Sequence, residues 1–169
     1  MTILSTERLN IRPLTESDVD FIYALYNTAG FLRFVGDKQL HSRQDAQRYL
    51  IQNLIRLYDV PGMGLLRVSL KSDDTPIGIC GLIKRDSLQD IDLGYGYLPE
   101  YEGLGYAFEA AGCLRDFAKQ HMNLKRLVAI TDAQNTRCIQ LLARLGFQFE
   151  RIQEDLPQGG QLALYGVAL

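Results

Sequence analysis

Residues 97–110 read Tyr97-Leu98-Pro99-Glu100-Tyr101-Glu102-Gly103-Leu104-Gly105-Tyr106-Ala107-Phe108-Glu109-Ala110. A strand-like run ends at Pro99, two glycines follow, and an apolar segment with helical spacing then begins. The glycines leave the backbone N–H groups of this loop uncovered at the N-terminus of a helix. Unpaired amides and the positive end of the helix dipole both favour anions, above all phosphates. The segment therefore predicts a phosphate-binding loop.

The loop lies between a predicted sheet and a predicted helix. Apolar spacing on both sides gives the order β-α-α-β-β-β-α-β-α-β-β. The strand before the loop and the strand after the next helix form a β-α-β crossover, so they should be parallel neighbours, and the earlier strands should be antiparallel. We therefore expect an α/β (α+β) fold with a mixed, mostly antiparallel sheet that changes to parallel pairing at the loop. The predicted strands are 9–14, 63–71, 76–84, 90–98, 126–131, 147–153 and 161–168, and the predicted helices start near residues 19, 42, 107 and 136.

The overall composition excludes several classes of protein. The chain has 169 residues, 47% hydrophobic and 22% charged, with a formal net charge of −2. This length predicts a single domain over residues 1–169. The charge balance argues against a nucleic-acid-binding surface, and no apolar run is long enough to cross a membrane. Residues 1–8 lack the basic start and long apolar stretch of a signal peptide, so we expect a cytoplasmic location.

Cysteine and histidine are too sparse to predict a metal site. Cys80, Cys113 and Cys138 are widely separated and show no Cys-x-x-Cys spacing. His41 and His121 each lack a second histidine at ligand spacing. We therefore expect neither bound metal nor a disulfide framework, and the first two cysteines are best explained as small buried thiols.

Two glycines in a turn often serve only the turn, so the identity of the loop depends on the residues around them. A dinucleotide-binding fingerprint needs a third glycine, but Phe108 stands at that position. A P-loop needs Gly-Lys followed by Ser or Thr, but this loop contains no lysine. Both of these nucleotide-binding motifs are therefore excluded.

Three blocks of sequence, spread over nearly the whole chain, share their order and spacing with a known family. They are Thr6-Glu7-Arg8-Leu9-x-Ile11-Arg12-Pro13-Leu14-Thr15-x-x-Asp18, then Asp92-Leu93-Gly94-Tyr95-x-Tyr97-Leu98-Pro99-Glu100-Tyr101 with the glycine loop, and Asn135-x-x-Cys138-x-x-Leu141-Leu142-x-x-Leu145-Gly146-Phe147. Together they resemble the GNAT superfamily of acyl-CoA-dependent N-acetyltransferases, most closely the branch with the ribosomal-protein N-terminal (alanine/serine) acetyltransferases. The resemblance implies a three-layer fold with helices on both faces of the sheet. It also implies direct acetyl transfer from acetyl-CoA to a primary amine in a ternary complex.

The resemblance further implies which residues bind the cofactor. The strand edge at Tyr97 and Leu98 would pair with the pantetheine arm, and Asn135 would flank the thioester. Backbone amides of a six-residue motif would hold the pyrophosphate of coenzyme A. The motif residues are Glu102, Gly103, Leu104, Gly105, Tyr106 and Ala107.

Three residues depart from the family's pattern. Glu102 replaces a Gln or Arg and brings an acid close to the phosphates, which should weaken cofactor binding if its side chain points inward. Cys138 replaces a serine that is usual in this branch. Leu142 stands where many members of the superfamily carry a tyrosine that acts as general acid. The branch commonly lacks that tyrosine too, so the general acid of this chain is unassigned.

Acetyl transfer needs a base for the amine, a partner for the oxyanion and a proton for the leaving thiolate. Asp92 is the candidate base, because the branch often carries Glu there, and a solvated residue on the strand face is the alternative. A backbone N–H near Leu98 is the candidate oxyanion donor. The candidate proton sources are Cys138, Tyr95, Tyr97 and water, and for Cys138 a packing role is the alternative.

The sequence defines the amine acceptor less well. Acidic residues crowd positions 86–102, which favours a cationic acceptor such as a peptide N-terminus or a polyamine-like molecule. The loops at 31–41, 85–89 and 157–160 would select it, and Phe31 and Phe34 form either an apolar acceptor wall or helix packing. We favour a protein or peptide N-terminus over a small amine. A non-catalytic acyl-CoA-binding sensor is the alternative function, and a homodimer is compatible with the resemblance.

Overall fold

The computed structural model describes residues 3–153 and 161–169, and the predicted strands and helices are present there with small shifts of boundary. The predicted loop at 157–160 lies outside the described residues. A short first strand, β1, precedes the predicted elements. In chain order the elements are β1 Leu4–Ser5, β2 Leu9–Pro13, α1 Val19–Tyr26, α2 Arg43–Tyr49, β3 Gly64–Leu70, β4 Pro76–Ile83, β5 Asp92–Tyr97, α3 Tyr106–His121, β6 Arg126–Asp132, α4 Thr136–Arg144, β7 Gln148–Gln153 and β8 Leu162–Ala168.

Short polar side chains fix the starts of two helices, α2 and α4. Ser42 Oγ accepts the Asp45 N–H at 3.0 Å before α2, and Asn135 Oδ1 accepts the Cys138 N–H at 3.2 Å before α4. Each bond satisfies an amide that has no partner within its own helix. These caps explain why the sequence predicts both starts to within one residue.

Two helical segments differ from the sequence-based expectation. Phe31–Val35, expected as part of a loop, forms a π-helical turn. The second helix, expected to continue as far as Pro61, changes after α2 into a π turn and then a 3₁₀ turn that ends at Asp59. The wider turn keeps both Leu50 and Leu54 in the core, and such changes of helical pitch leave no clear pattern in sequence.

One sheet contains all eight described strands, in the order β1-β2-β3-β4-β5-β6-β8-β7. Its pairs are antiparallel except β5 with β6, which confirms the predicted change to parallel pairing at the glycine loop. The antiparallel neighbours of β5 and β6 pair over most of their length. By contrast, β5 and β6 pair only at Asp92 and Val128. The two strands therefore separate toward their carboxyl ends, and a gap opens beside the glycine loop.

The helices cover both faces of the sheet, as expected. α3 and α4 pack on one face through residues such as Ala110, Leu114 and Leu142. α1 and α2 pack on the other face through residues such as Ile22 and Ala46. No helix in the described part of the chain is long and apolar enough to span a membrane.

Candidate active site

The glycine loop forms the N-terminus of α3. Gly103 and Gly105 have φ of +75° and +86°, the left-handed region in which a side chain is strained. The Glu109 N–H donates to the Gly105 carbonyl at 3.1 Å. The amides of the three residues between Gly105 and Glu109 precede this bond and have no acceptor within the helix. Residues 102–105 are exposed and residues 106–108 are partly exposed, so an anion can approach this end of the helix.

Glu102 forms an ion pair at the edge of the loop. Its Oε2 lies 2.8 Å from Nη1 of Arg137, in the first turn of α4. The same Nη1 lies 4.0 Å from the position that a Cβ would take at Gly103. The acid is thus matched by a cation on the neighbouring helix, and its carboxylate is directed to that helix.

The edge of β5 beside the gap presents backbone groups. The Leu98 N–H donates to the Ile77 carbonyl at 2.9 Å, on the β4 side. Backbone groups of alternate residues in a strand point to opposite neighbours, so the amides of Tyr95 and Tyr97 point toward β6. Since β6 pairs with β5 only at Val128, these two amides face the gap. The Leu98 N–H is already used within the sheet.

Asp92 begins β5 at the closed end of the gap. Its side chain is 1% exposed and its Oδ2 lies 2.6 Å from Nε of Arg85, whereas Oδ1 has no hydrogen-bond partner among the described residues. Burial raises the pKa of the Asp92 carboxyl above its ordinary value of 3.8, against the opposing effect of Arg85. Asp92 is therefore not a solvated residue of the strand face. It is a buried acid paired with Arg85.

Tyr95 and Cys138 meet across the gap. The Tyr95 hydroxyl lies 2.9 Å from Cys138 Sγ, and the Cys138 amide donates to the Asn135 side chain that caps α4. Burial raises the pKa of the Tyr95 hydroxyl and of the Cys138 thiol, so both groups are protonated at neutral pH. The pair can hold and donate a proton, and Asn135 fixes the position of the thiol.

Two other positions considered for proton transfer lie in the core. The Tyr97 side chain is 7% exposed, and its hydroxyl is near Cys80 without a hydrogen-bond partner among the described residues. Leu142, on α4, is fully buried. Of the four groups named for this step, the structure brings Tyr95 and Cys138 together and leaves the Tyr97 hydroxyl apart.

Aromatic side chains cover the opposite face of β5. Phe31 lies directly over Gly96, where an added Cβ would clash with its ring. The ring of Phe31 also packs on that of Tyr26, with 4.9 Å between centroids, and Tyr26 packs on Tyr49 at 5.1 Å. Phe31 is thus both a core residue and an aromatic wall beside β5.

Arginines offset much of the acidic charge that crowds residues 86–102. Asp90 lies 3.1 Å from Arg126. Asp92 and Glu102 are paired with Arg85 and Arg137, as described above. Arginines therefore pair with three of the five acids in residues 86–102, and Arg126 is shared with Glu150.

The family model described as Acetyltransferase (GNAT) domain matches residues 8–148. The chain belongs to the GNAT acetyltransferase family. It is an N-acetyltransferase, as the sequence predicts. The matched residues include β5, the glycine loop, α3, β6 and all of α4, which are the gap and the elements around it.

Individual relatives agree with this assignment to the GNAT family. The uncharacterized N-acetyltransferase YoaA of Bacillus subtilis (strain 168) is 28% identical over 153 residues, 89% of this chain and 85% of that one. The spermidine N(1)-acetyltransferase of Escherichia coli (strain K12) is 25% identical over 149 residues, 86% and 76% of the two chains. A ribosomal L7/L12 alpha-N-protein acetyltransferase, solved in complex with coenzyme A, shares the fold with a TM-score of 0.85 and 15% identity over 99% of this chain and 98% of that one.

Within this GNAT site, the sequence did not reveal the arginine partners. Arg85 lies in a loop with no motif, and Arg137 stands at an unspecified position of the Asn135-x-x-Cys138 block. Only the fold shows that they pair with Asp92 and Glu102. An unpaired acid next to an apolar strand is the one signal that could have prompted a search for them. Among residues 3–153 and 161–169, no group of three or more His, Cys, Asp or Glu side chains could hold a metal ion.

Proposed function

We propose that this single-domain N-acetyltransferase moves the acetyl group of acetyl-CoA directly to the N-terminal amine of a protein or peptide, in a ternary complex. The observation that carries the proposal is the gap between β5 and β6. It opens at the glycine loop and closes at Asp92. A phosphate-bearing carrier with a long amide-containing arm would fit this arrangement, with its reactive end near Asp92.

The cofactor would be held mainly by backbone groups. We assign its pyrophosphate to the amides at the N-terminus of α3, with residues 102–107 around it. Its pantetheine arm would pair with the free edge of β5 at Tyr95 and Tyr97, as an extended peptide adds to a sheet. Asn135 would act at the thioester end by holding α4 in place.

In the transfer step the amine nitrogen would form a bond to the acetyl carbon, and the carbon–sulfur bond would break. Asp92 would accept a proton from the amine. An α-amine has a pKa near 8, so a weak base is enough to remove its proton. The Tyr95–Cys138 pair would donate a proton to the departing thiolate. A backbone amide at the gap would stabilise the oxyanion.

A protein N-terminus is favoured over a polyamine as the acceptor. Arginines pair with three of the five acids that would otherwise attract a polycation, and the aromatic wall at Phe31 suits an uncharged first side chain. The relatives include both kinds of enzyme, a spermidine acetyltransferase and a ribosomal-protein acetyltransferase. The balance of charge decides our choice between them.

The test is release of free thiol from acetyl-CoA with two panels of acceptors. One panel holds peptides that begin with Ser, Ala or Thr, and the other holds spermidine and simple primary amines. Turnover on the peptides and not on the amines is the expected result. Turnover on the amines alone would overturn the choice of acceptor. Cofactor binding without thiol release on either panel would leave the chain as an acyl-CoA-binding module.

A further inference from the structure

Arg8, from the turn between β1 and β2, contacts the glycine loop from outside the cofactor motif. Its Nη1 donates to the Leu104 carbonyl at 3.1 Å. Its guanidinium lies 4.3 Å from the centroid of the Tyr106 ring. Its Nη2 lies 3.1 Å from the position that a Cβ would take at Gly105. One side chain therefore touches three consecutive residues of the loop.

Glu109, in the first turns of α3, holds Arg8 in this position. Glu109 Oε1 accepts from Arg8 Nε at 2.8 Å, and Oε2 accepts from the Arg8 amide at 2.9 Å and from the Thr6 hydroxyl. Burial acts to raise the pKa of Glu109, but the hydrogen bonds from Thr6 and Arg8 outweigh it and lower that pKa. The carboxylate is thus ionised and bonded on both oxygens. This contact at Nε restrains the planar guanidinium in its position against the loop.

The bond to Leu104 has a consequence for the next amide. In a planar trans peptide the N–H points away from the C=O, so holding the Leu104 carbonyl also fixes the direction of the Gly105 N–H. Gly105 has a positive φ and no side chain, so its preceding peptide can reverse at little cost. A reversed peptide would present a carbonyl oxygen to an anion. Residues 98–107 contain no Lys or Arg to compensate.

We propose that Arg8 is a positioning residue for the phosphate loop, which fixes the Leu104–Gly105 peptide so that its N–H faces the pyrophosphate of the cofactor. The inference rests on the proposed function, in which this loop binds acetyl-CoA. Arg8 also brings a positive charge to a loop whose own charged residues are acids. A lysine at this position would keep the positive charge. It could not contact Glu109 and Leu104 at the same time, as the planar guanidinium does.

The experiment compares Arg8→Gln and Arg8→Lys with the wild-type chain and with Arg43→Gln as control. Arg43 forms an exposed pair with Asp20 at 2.7 Å, in a region away from the loop. KM for acetyl-CoA, kcat and the thermal midpoint are measured for each. We expect both Arg8 variants to raise KM about tenfold, the factor for one lost charge-assisted hydrogen bond, and to keep kcat at saturation. The control should match the wild-type chain.

A second measurement follows the Gly105 amide directly. In ¹⁵N NMR spectra, coenzyme A and 3′-dephospho-coenzyme A should both shift the Gly105 amide resonance of the wild-type chain. In Arg8→Lys, both compounds should produce a smaller shift of that resonance than in the wild-type chain. The inference would be overturned if Arg8→Lys bound the cofactor as tightly as the wild-type chain, or if the Arg8 variants raised KM and lowered kcat by the same factor. It would also be overturned if the weaker binding of Arg8→Lys were seen with coenzyme A and not with the 3′-dephospho compound. If the wild-type chain binds neither compound, the proposed function fails first, and the inference fails with it.

Discussion

The glycine loop and the Asp92 end of β5 lie at opposite ends of one strand, but backbone groups form the first and side chains form the second. At the loop, two glycines with positive φ leave amides exposed at a helix end. At the other end, a buried carboxylate is held by an arginine from a preceding loop. The six residues of β5 span about 17 Å, so a ligand that touches both ends must be long.

This difference determines how each end tolerates change. Backbone donors are lost only when the conformation of the loop changes, so affinity for the cofactor should depend on glycine positions and on what holds the loop. Side-chain chemistry is lost with a single functional group, so turnover should depend on Asp92, Tyr95 and Cys138. Substitutions at the two ends should therefore separate KM for acetyl-CoA from kcat.

The largest effect is expected for Asp92→Asn. Loss of a general base commonly costs about 100-fold or more in rate, so kcat should fall at least that far while KM for acetyl-CoA changes little. Because burial raises the pKa of Asp92 above 3.8 and only the ionised form accepts a proton, wild-type kcat should decline as pH falls through that raised pKa. The variant should lack this decline. Steady-state kinetics between pH 4 and 9 measure both.

Asp90→Asn is the matched control for Asp92→Asn. Asp90 lies two residues earlier and is also paired with an arginine, but its side chain is 41% exposed. It should keep wild-type kcat. If both variants lose activity equally, or if Asp92→Asn raises KM and lowers kcat by the same factor, Asp92 has a structural role and the contrast between the two ends disappears.

Gly105→Ala should produce the next largest effect, on KM instead of kcat. A residue other than glycine in the left-handed region costs about 1–2 kcal/mol, and an added Cβ would lie 3.1 Å from Arg8 Nη2. We expect KM for acetyl-CoA to rise about 5–30-fold. Gly112→Ala, in the middle of α3 with no atom within 4 Å of its added Cβ, should leave KM unchanged. A drop in kcat for Gly105→Ala would contradict the assignment of the loop to binding alone.

The loop end could be predicted from sequence because its signals are local. Pro99, Gly103 and Gly105 fix a turn and a helix start through their own conformational limits. The same holds for Ser42 and Asn135, which cap helices within three residues. The crossover rule then places β5 beside β6.

The Asp92 end could be predicted only in part, because its contacts join segments that no spacing connects. The approach of Phe31 to Gly96 depends on a π turn that the sequence does not reveal. The pairing of Arg85 with Asp92, and that of Tyr95 with Cys138, depends on how two layers pack. Periodicity shows which face a residue occupies, but not which partner it meets there.

A smaller effect is expected for Tyr95→Phe, which removes the hydroxyl 2.9 Å from Cys138 Sγ. A thiolate is a good leaving group and needs little help, so we expect kcat to fall only about fivefold, below the usual range for proton transfer. Tyr97→Phe is the control, since it removes a buried hydroxyl with no partner among the described residues and should be neutral in activity. If Tyr97→Phe lowered kcat more than Tyr95→Phe does, Tyr97 would be the proton donor. Unchanged kcat in both Tyr95→Phe and Cys138→Ala would exclude the pair as a donor.

The smallest effect is expected at the loop, for Glu102→Gln. Glu102 and Arg137 are 36% and 67% exposed, and exposed pairs contribute about 0–1 kcal/mol, so stability should hardly change. Removing the acid leaves the Arg137 charge uncompensated beside the phosphates, and KM for acetyl-CoA should fall about two- to threefold, more at low salt. Arg137→Gln should raise KM, and the nearby exposed acid in Glu100→Gln should have no effect. If Glu102→Gln instead weakens binding, the pair orders the loop through its geometry, and side chains then matter at both ends of the strand.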